Sequence, residues 1–599
     1  MNNYKLYIQK SGTWSIVDLG DDKPAMNYQV NNIAELKDRQ CDYSQALKLP
    51  LSKRNCTLFD IPENMDVVTD IPYIKIPCRL FSNESVLAGT DSFLILNKVN
   101  KFIEVQILSG TARFLDSLSS KSMTELDLGE ITLLYDNFNP ANFGTNYFYA
   151  FASFVSNPTL DNTTMQVVRA CPFVKVSKIV SEIMTYNGYT LKIDIDSSKH
   201  AISISTRKAI EDSNFDALSS GSFTYHESGG GVGPTFEIQQ TGHGNLTCIK
   251  IDYSPNLRYA CPAQFNLVVD VVVTCTGDPV IVTGFPVHGE APSHSHVFTE
   301  TFQTGFSTNF RTQYPYQTSN ITYSFTYHYI SINDIVPQGG VLSFSHNTGF
   351  DSQLDFFKAF VQLYGLTVDV DNENKIVYAY SMQKLYDNKA IAKDWSLKLH
   401  DDDAITDTFF KLDNYAQNNL IQYDKNEKLS LIDSGNLTVN DLGIESEKIL
   451  FVMKFESGID YQHTRAALPS IKAANIPASA YKENGSIEFT GCKPHIVEIS
   501  DSTISVIILE GVTVKGTYDY HIVTHLNAQS IVDNYYSGIK TMLSSAKWKE
   551  PYFWLTDDDI DSFKKFVPVY IQKFGHYFYV NKIVNYISGQ LTKCQIIKL

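Results

Sequence analysis

Two heptapeptides share one pattern, and the residues preceding them constrain the fold more than any other feature of the chain. Residues 188–194 read GYTLKID and residues 365–371 read GLTVDVD, both Gly-apolar-Thr-apolar-x-apolar-Asp. Counting back four, five, eight and nine positions from the first glycine gives Met184, Ile183, Val180 and Ile179. The same offsets from the second give Val361, Phe360, Phe357 and Phe356. That spacing traces one face of an amphipathic helix. A glycine after the helix admits the left-handed conformation from which a strand can start. Polar turns follow, Asp196-Ser197-Ser198-Lys199 and Asn372-Glu373-Asn374-Lys375, each before a returning strand. A duplicated helix–strand–strand unit is predicted.

Around the two copies the pattern is that of strands. Tyr4, Leu6 and Ile8 alternate before the turn Gly20-Asp21-Asp22; Tyr73, Ile74, Ile76 and Cys78 with Val86 and Leu87 suggest a hairpin. Phe93–Leu96 and Phe102–Leu108 add two strands. Aromatic residues make up 13% of the chain, mostly Tyr and Phe, which favours sheet. Residues 201–345 differ from their flanks, being rich in Gly, Ser, Thr and aromatics. In TYSFTYHYISI, Tyr323, Phe325, Tyr327 and Tyr329 fall on one face of a strand. This segment reads as an inserted β-sandwich. Its aromatic face is a candidate glycan contact, although packing into a core is the plainer account. The stretch SIKAANIPASAYKENGSIEFTG reads as a separator before a C-terminal region. There Thr556 and the acidic residues after it should cap a helix over DIDSFKKFVPVY, and HYFYVNKIVNYISGQLTKCQIIKL supplies two or three closing strands.

Chemistry is sparse. A net charge of −16 repels phosphate backbones and disfavours general nucleic-acid binding. The N-terminus has no apolar run of signal-peptide length and no stretch approaches membrane-spanning length, so a chain made in a cytoplasm is expected. The nine cysteines form no CxxC, which argues for buried thiols over zinc ribbons or a disulfide framework. SGGGVGP lacks the Lys-Ser/Thr of a phosphate loop, DVDNENK lacks the glycine and final acid of a calcium loop, and no GxSxG or HExxH occurs. Asp401-Asp402-Asp403 reads as a solvated turn. One metal candidate is HGEAPSHSHVF, with His288, His294 and His296. On a strand His294 and His296 would share a face about 6–7 Å apart, and three such pairs around a threefold axis would suit octahedral iron or nickel. The plainer reading is a polar loop with exposed histidines. No catalytic residues and no cofactor are expected.

The stretch LKDRQCDYSQALKLPLSKRNCTLF, residues 36–59, is basic in an acidic chain, and Leu47, Leu49 and Leu51 alternate with Lys48 and Pro50. It reads as an edge strand with its leucines inward; lysines and a proline are what natural edges use against uncontrolled pairing. Lys48, Pro50, Lys53 and Arg54 are therefore candidate subunit contacts.

From DLG through this stretch to Phe59 the sequence resembles the opening of tail-tip or baseplate hub proteins from phages and prophages of Bacteroidetes. RACPFVKVSKIVSEIMTYNGYTL, LDFFKAFVQLYGLTVDVD, KDWSLKL, YAQNNLIQYDK and the closing hairpin are similar to later segments of that family, in the same order. The resemblance covers most of the chain except roughly 201–345. It implies a non-enzymatic virion protein of the phage tail, on a long tail or a crassvirus-type short one. Repeated barrel-like hub domains would assemble as a homo-oligomer, a trimer in preference to a hexamer. Its partners would be tube and fibre proteins, the phage DNA passing through, and the host surface indirectly. The expected fold class is mainly β with α+β units. The expected division is an N-terminal β hub domain 1–165, a first repeat 166–200, an inserted β-sandwich 201–345, a second repeat in an α+β domain 346–480, and a C-terminal β-rich domain 481–599. Two other functions fit the composition, a carbohydrate-binding adhesin acting through the insert and, less well, a cell-wall hydrolase using dispersed carboxylates.

Overall fold

The computed structural model describes residues 4–206 and 341–599 apart from short breaks, the longest at 30–41 and 61–69, and between 220 and 330 the backbone of strands alone. It is mainly β, with several sheets and a few short helices. No helix among the described residues is long and apolar enough to cross a membrane.

The first strand, Tyr4–Lys10, buries Tyr4, Leu6 and Ile8 and turns Lys5 outward. It pairs antiparallel with Thr13–Val17 on one side and Ile76–Ser82 on the other, placing Leu6 opposite Leu80 and Ile8 opposite Cys78. Ser85–Val99 and Phe102–Ser109 extend the sheet. Then Asp42–Ser44 and Met26–Gln29 carry it onward, and Met26–Gln29 pairs antiparallel with His576–Tyr586 from the far end of the sequence. Leu591–Lys598 folds back on that strand as a hairpin. One apolar core lies along this sheet, joining Leu6, Leu49 and Ile103 to Phe553, Ile583 and Ile596. The segments read as separate domains 1–165 and 481–599 thus share a sheet and a core.

A carboxylate fastens this junction. Asp557 accepts hydrogen bonds from Ser82 Oγ at 3.0 Å, Tyr586 Oη at 2.5 Å and Ser588 Oγ at 2.9 Å, while the Ser588 N–H donates to Tyr4 Oη at 2.6 Å. Asp557 opens the expected acidic helix, Asp557–Asp561, which Thr556 and Asp559 cap reciprocally. The helix is a single turn instead of running through DIDSFKKFVPVY, because Val569–Ile571 is drawn into the sheet beside His576–Tyr586.

The second core holds the repeat. Helices Val176–Tyr186 and Gln353–Leu363 bury Ile179, Val180, Ile183 and Met184, and Phe356, Phe357, Phe360 and Val361, the faces read from the spacing. Gly188 and Gly365 follow them with φ of 72° and 57°. The copies then diverge. In the second, Leu366–Asp371 and Ile376–Ser381 close an antiparallel hairpin around the DNENK turn. In the first, Thr190–Ile193 has no hairpin partner of its own and pairs parallel with Ile376–Ser381 of the other copy. Its expected returning strand, His200–Ser203, enters a different sheet between Phe173–Lys175 and Ile496–Glu510. Asp194 reinforces the join, accepting from the Ser381 N–H at 2.9 Å and the Ser381 hydroxyl at 2.7 Å. The repeats are halves of one body.

Other expectations shift for local reasons. Ile71–Tyr73 forms a short 3-10 turn with Pro72 near its start, so Tyr73 and Ile74 are exposed and the strand begins at Ile76. The supposed separator after residue 468 is a long strand, Leu468–Tyr481, paired with Ile459–Arg465 and Ile487–Phe489. Thr111–Ser119 is a helix whose Phe114 and Leu118 belong to the second core, so residues 1–165 span both cores. Within 220–330 two sheets form from strands that pair only among themselves, one of four strands and one of six. SGGGVGP and Asp401-Asp402-Asp403 lie outside the described residues.

The two glycines make the repeat testable. A Cβ on Gly188 would meet nothing within 4 Å, whereas one on Gly365 would lie 3.1 Å from the Tyr535 carbonyl oxygen and from the Tyr536 ring. Gly188→Ala should therefore cost only the left-handed strain, about 1–2 kcal/mol. Gly365→Ala should cost about 1–3 kcal/mol more through overpacking, and the midpoints of chemical denaturation should separate the two variants in that order.

Candidate functional site

The basic stretch is built around a buried amide. Leu47–Pro50 is a strand paired with Phe102–Ser109, burying Leu47 and Leu49. It ends at Pro50, so Leu51 is exposed and not inward as the alternation implied. Ser52 then caps the helix Lys53–Leu58. Asn55, fully buried, accepts from the Asp18 N–H at 3.0 Å and donates to the carbonyl oxygens of Asp18 and Pro50 at 2.8 and 2.9 Å.

The candidate contact residues have occupations within the chain. Arg54 pairs with Asp18 at 2.8 Å, and the Lys48 N–H donates to Asp22 at 3.1 Å. Pro50 lies against Gly20, where an added Cβ would come within 3.3 Å of its ring. The outer edge of the strand is thus covered by the chain's own 18–22 segment, while Lys48, Lys53 and Arg54 are exposed.

Of the histidine candidates, His288 and His294 lie outside the described residues, and His296 begins the strand His296–Phe302. Tyr323, Phe325, Tyr327 and Tyr329 lie in Asn320–Ile330, which pairs with Ser220–Glu227 on one side and Asn266–Thr276 on the other. That strand is therefore internal to its sheet; its side chains are outside the described residues.

Exposed aromatic residues concentrate elsewhere, on a region the sequence did not single out. The short strands Trp548–Lys549 and Tyr552–Trp554 pair with Leu591–Lys598 and bridge to the segment after Trp395, Phe409 opposite Trp548 and Leu399 opposite Phe553. Phe553 and Trp395 are buried, whereas Tyr552, Trp554, Phe410 and Leu397 face solvent, Leu397 completely. Alternation on a three-residue strand is too short a signal to stand out in sequence, and its partners come from far along the chain.

The described residues hold one group of three metal-type donors, Glu456, Cys492 and His495, their donor atoms all within 4.8 Å of one another. Glu456 ends the strand Glu447–Glu456, and its N–H donates to the Pro494 carbonyl oxygen at 2.9 Å. Cys492 and His495 sit on the turn before Ile496–Glu510. Two serines hold that turn: the His495 N–H donates to Ser203 Oγ at 3.1 Å, and the Cys492 N–H to the Ser205 carbonyl oxygen at 3.1 Å. Glu456 Oε2 and Cys492 Sγ each lie 3.8 Å from His495 Nδ1. Since both approach the same ring nitrogen, the group cannot work as a nucleophile–base–carboxylate relay, which needs both nitrogens.

Burial sets the electrostatics here. It pushes the Glu456 carboxyl up to about 7, raises the Cys492 thiol and lowers His495 to about 3. Glu456 Oε2 is buried without a hydrogen-bond partner. The sequence held half of this signal in the spacing Cys492-Lys493-Pro494-His495, whereas Glu456 reaches the group only through folding.

The amide at Asn55 gives the 47–59 stretch a measurable weight. Asn55→Ala leaves the Asp18 N–H and two carbonyl oxygens unpaired and should cost about 2–4 kcal/mol in chemical denaturation, whereas Lys53→Ala, on the exposed side of the same helix, should cost less than about 0.5 kcal/mol. Comparison of the chain with protein-family models, curated proteins and solved structures returns no match.

Proposed function

We propose that this chain is a structural subunit of a phage tail, a hub or tip component that assembles around the tail axis and joins the tube to the fibres. The reading rests on the resemblance of its ordered segments to tail hub proteins. The structural observation that carries it is the exposed side chains of Tyr552 and Trp554 on one short strand, with those of Leu397 and Phe410 on the segments bridged to Phe553 and Trp548. Large apolar side chains left outside a completed core are what a protein partner covers. Tyr and Trp in particular act as anchors at interfaces. The net charge of −16 suits a wall along which DNA passes without sticking. Function here is assembly and conduit formation, with no catalytic step.

In this reading the partners are further copies of the chain, a trimer first, and the tube subunit. Native mass spectrometry and light scattering, alone and with a tail-tube subunit, should show a defined oligomer. The double variant Tyr552→Ser/Trp554→Ser should weaken it by about thirtyfold or more in dissociation constant, as loss of one interface anchor does. A monomeric mass at every concentration, with and without the tube subunit, would overturn the proposal.

A further inference from the structure

The donor group at the turn 492–495 has the make-up of a metal site. We propose that Glu456, Cys492 and His495 bind a single zinc-class divalent ion, which fastens the base of the inserted segment to the second core. Sulfur, imidazole nitrogen and carboxylate oxygen are the donors that zinc accepts, at about 2.0–2.3 Å in a tetrahedral arrangement. Around such an ion two ligand atoms stand roughly 3.3–3.8 Å apart. The separations of 3.8 Å from His495 Nδ1 to both Glu456 Oε2 and Cys492 Sγ match it.

The second observation is independent of those distances. Glu456 Oε2 is buried with no hydrogen-bond partner, and it points into the group of donors. An isolated carboxylate oxygen in the interior costs several kcal/mol unless something positive meets it. Lys428 gives its Nζ to Pro477 O, Thr490 Oγ1 and Gly491 O, and Lys493 gives its own to Asp424. Both act on Glu456 from a distance and the Lys493 N–H meets the carboxyl group, yet Oε2 receives no hydrogen bond. Cys492 is only partly buried as a residue, which places the group near the surface.

The surroundings define what binding changes. His495 Nδ1 donates to the Lys493 carbonyl oxygen at 3.0 Å, and Nε2 accepts from Asn426 Nδ2 at 3.3 Å. Asn426 cannot turn over, because the same amide nitrogen donates to Ser457 O at 2.9 Å while its Oδ1 accepts from the Leu429 N–H at 3.0 Å. An ion on Nδ1 takes the place of the ring proton and meets the Lys493 carbonyl oxygen to which that proton pointed, as its fourth ligand. The proton moves to Nε2, where it faces the Asn426 amide N–H and breaks that long contact. In exchange the ion ties Glu447–Glu456 to the turn that holds Ser203 and Ser205, the last strand before the insert.

The test uses the full chain, reduced, stripped by chelation and titrated with cobalt(II), then with zinc. One equivalent of cobalt should give a thiolate-to-metal band in the near ultraviolet with tetrahedral visible absorption, and zinc should displace it. Cys492→Ser should remove the thiolate band, and Glu456→Gln should weaken cobalt binding at least about tenfold, both with unchanged far-ultraviolet dichroism. Absence of the band in the folded wild-type chain, its persistence in Cys492→Ser, or unaltered affinity in Glu456→Gln would each overturn the proposal.

Discussion

Everything in the first core depends on the antiparallel contact between Met26–Gln29 and His576–Tyr586. Among the described residues it is the only step in that sheet's order that links strands from the beginning of the sequence to those from its end. Neither half could bury its apolar face alone: Leu6, Leu49 and Ile103 need Phe553, Ile583 and Ile596 across the core. The contact is made at a large loss of chain entropy, and such pairings form late and slowly. The hydrogen bonds gathered on Asp557 and on Tyr4 Oη lie at this junction, where they offset part of that loss.

The second core solves a different problem. A helix–strand–strand unit standing alone carries a two-stranded sheet with both edges open, and an open edge invites pairing with other chains. Here the first copy lays its Thr190–Ile193 strand along Ile376–Ser381, which becomes the middle strand of a three-stranded sheet. The sacrifice is the first copy's own hairpin, whose returning strand His200–Ser203 is freed to join Ile496–Glu510. Duplication and insertion are compatible because the copies meet through strands and helices that flank the insert.

What the sequence disclosed followed from the range of the interactions. Helix faces, the two glycine ends, the Thr556 cap and most strands are local, so Ile179 to Met184 and Phe356 to Val361 could be read from spacing. Domain boundaries could not, because the partners of Tyr4–Lys10 and of His576–Tyr586 are chosen by a core assembled from both ends of the chain. The same limit applies to the sites. Cys492 and His495 are close in sequence, yet Glu456, Ser203 and Ser205 join them only in three dimensions. The leucine alternation predicted Leu47 and Leu49 inward but overran by one residue at Leu51, where Pro50 had already ended the strand. The aromatic set around Trp554 was illegible, since exposure of a side chain is decided by what the fold fails to cover.

One small contact bears on how the inserted segment relates to the rest. Thr206, which falls inside the expected 201–345 bounds although His200–Ser203 just before it and Val341–Ser343 both pair into the body, donates its hydroxyl to the backbone and side-chain oxygens of Asn347. On either side of that clasp His200–Ser203 is held by Ile496–Glu510 and Val341–Ser343 by Glu130–Thr132. The strands flanking residues 207–340 thus take their register from partners outside those residues, and a change of length among them leaves both registers as they are.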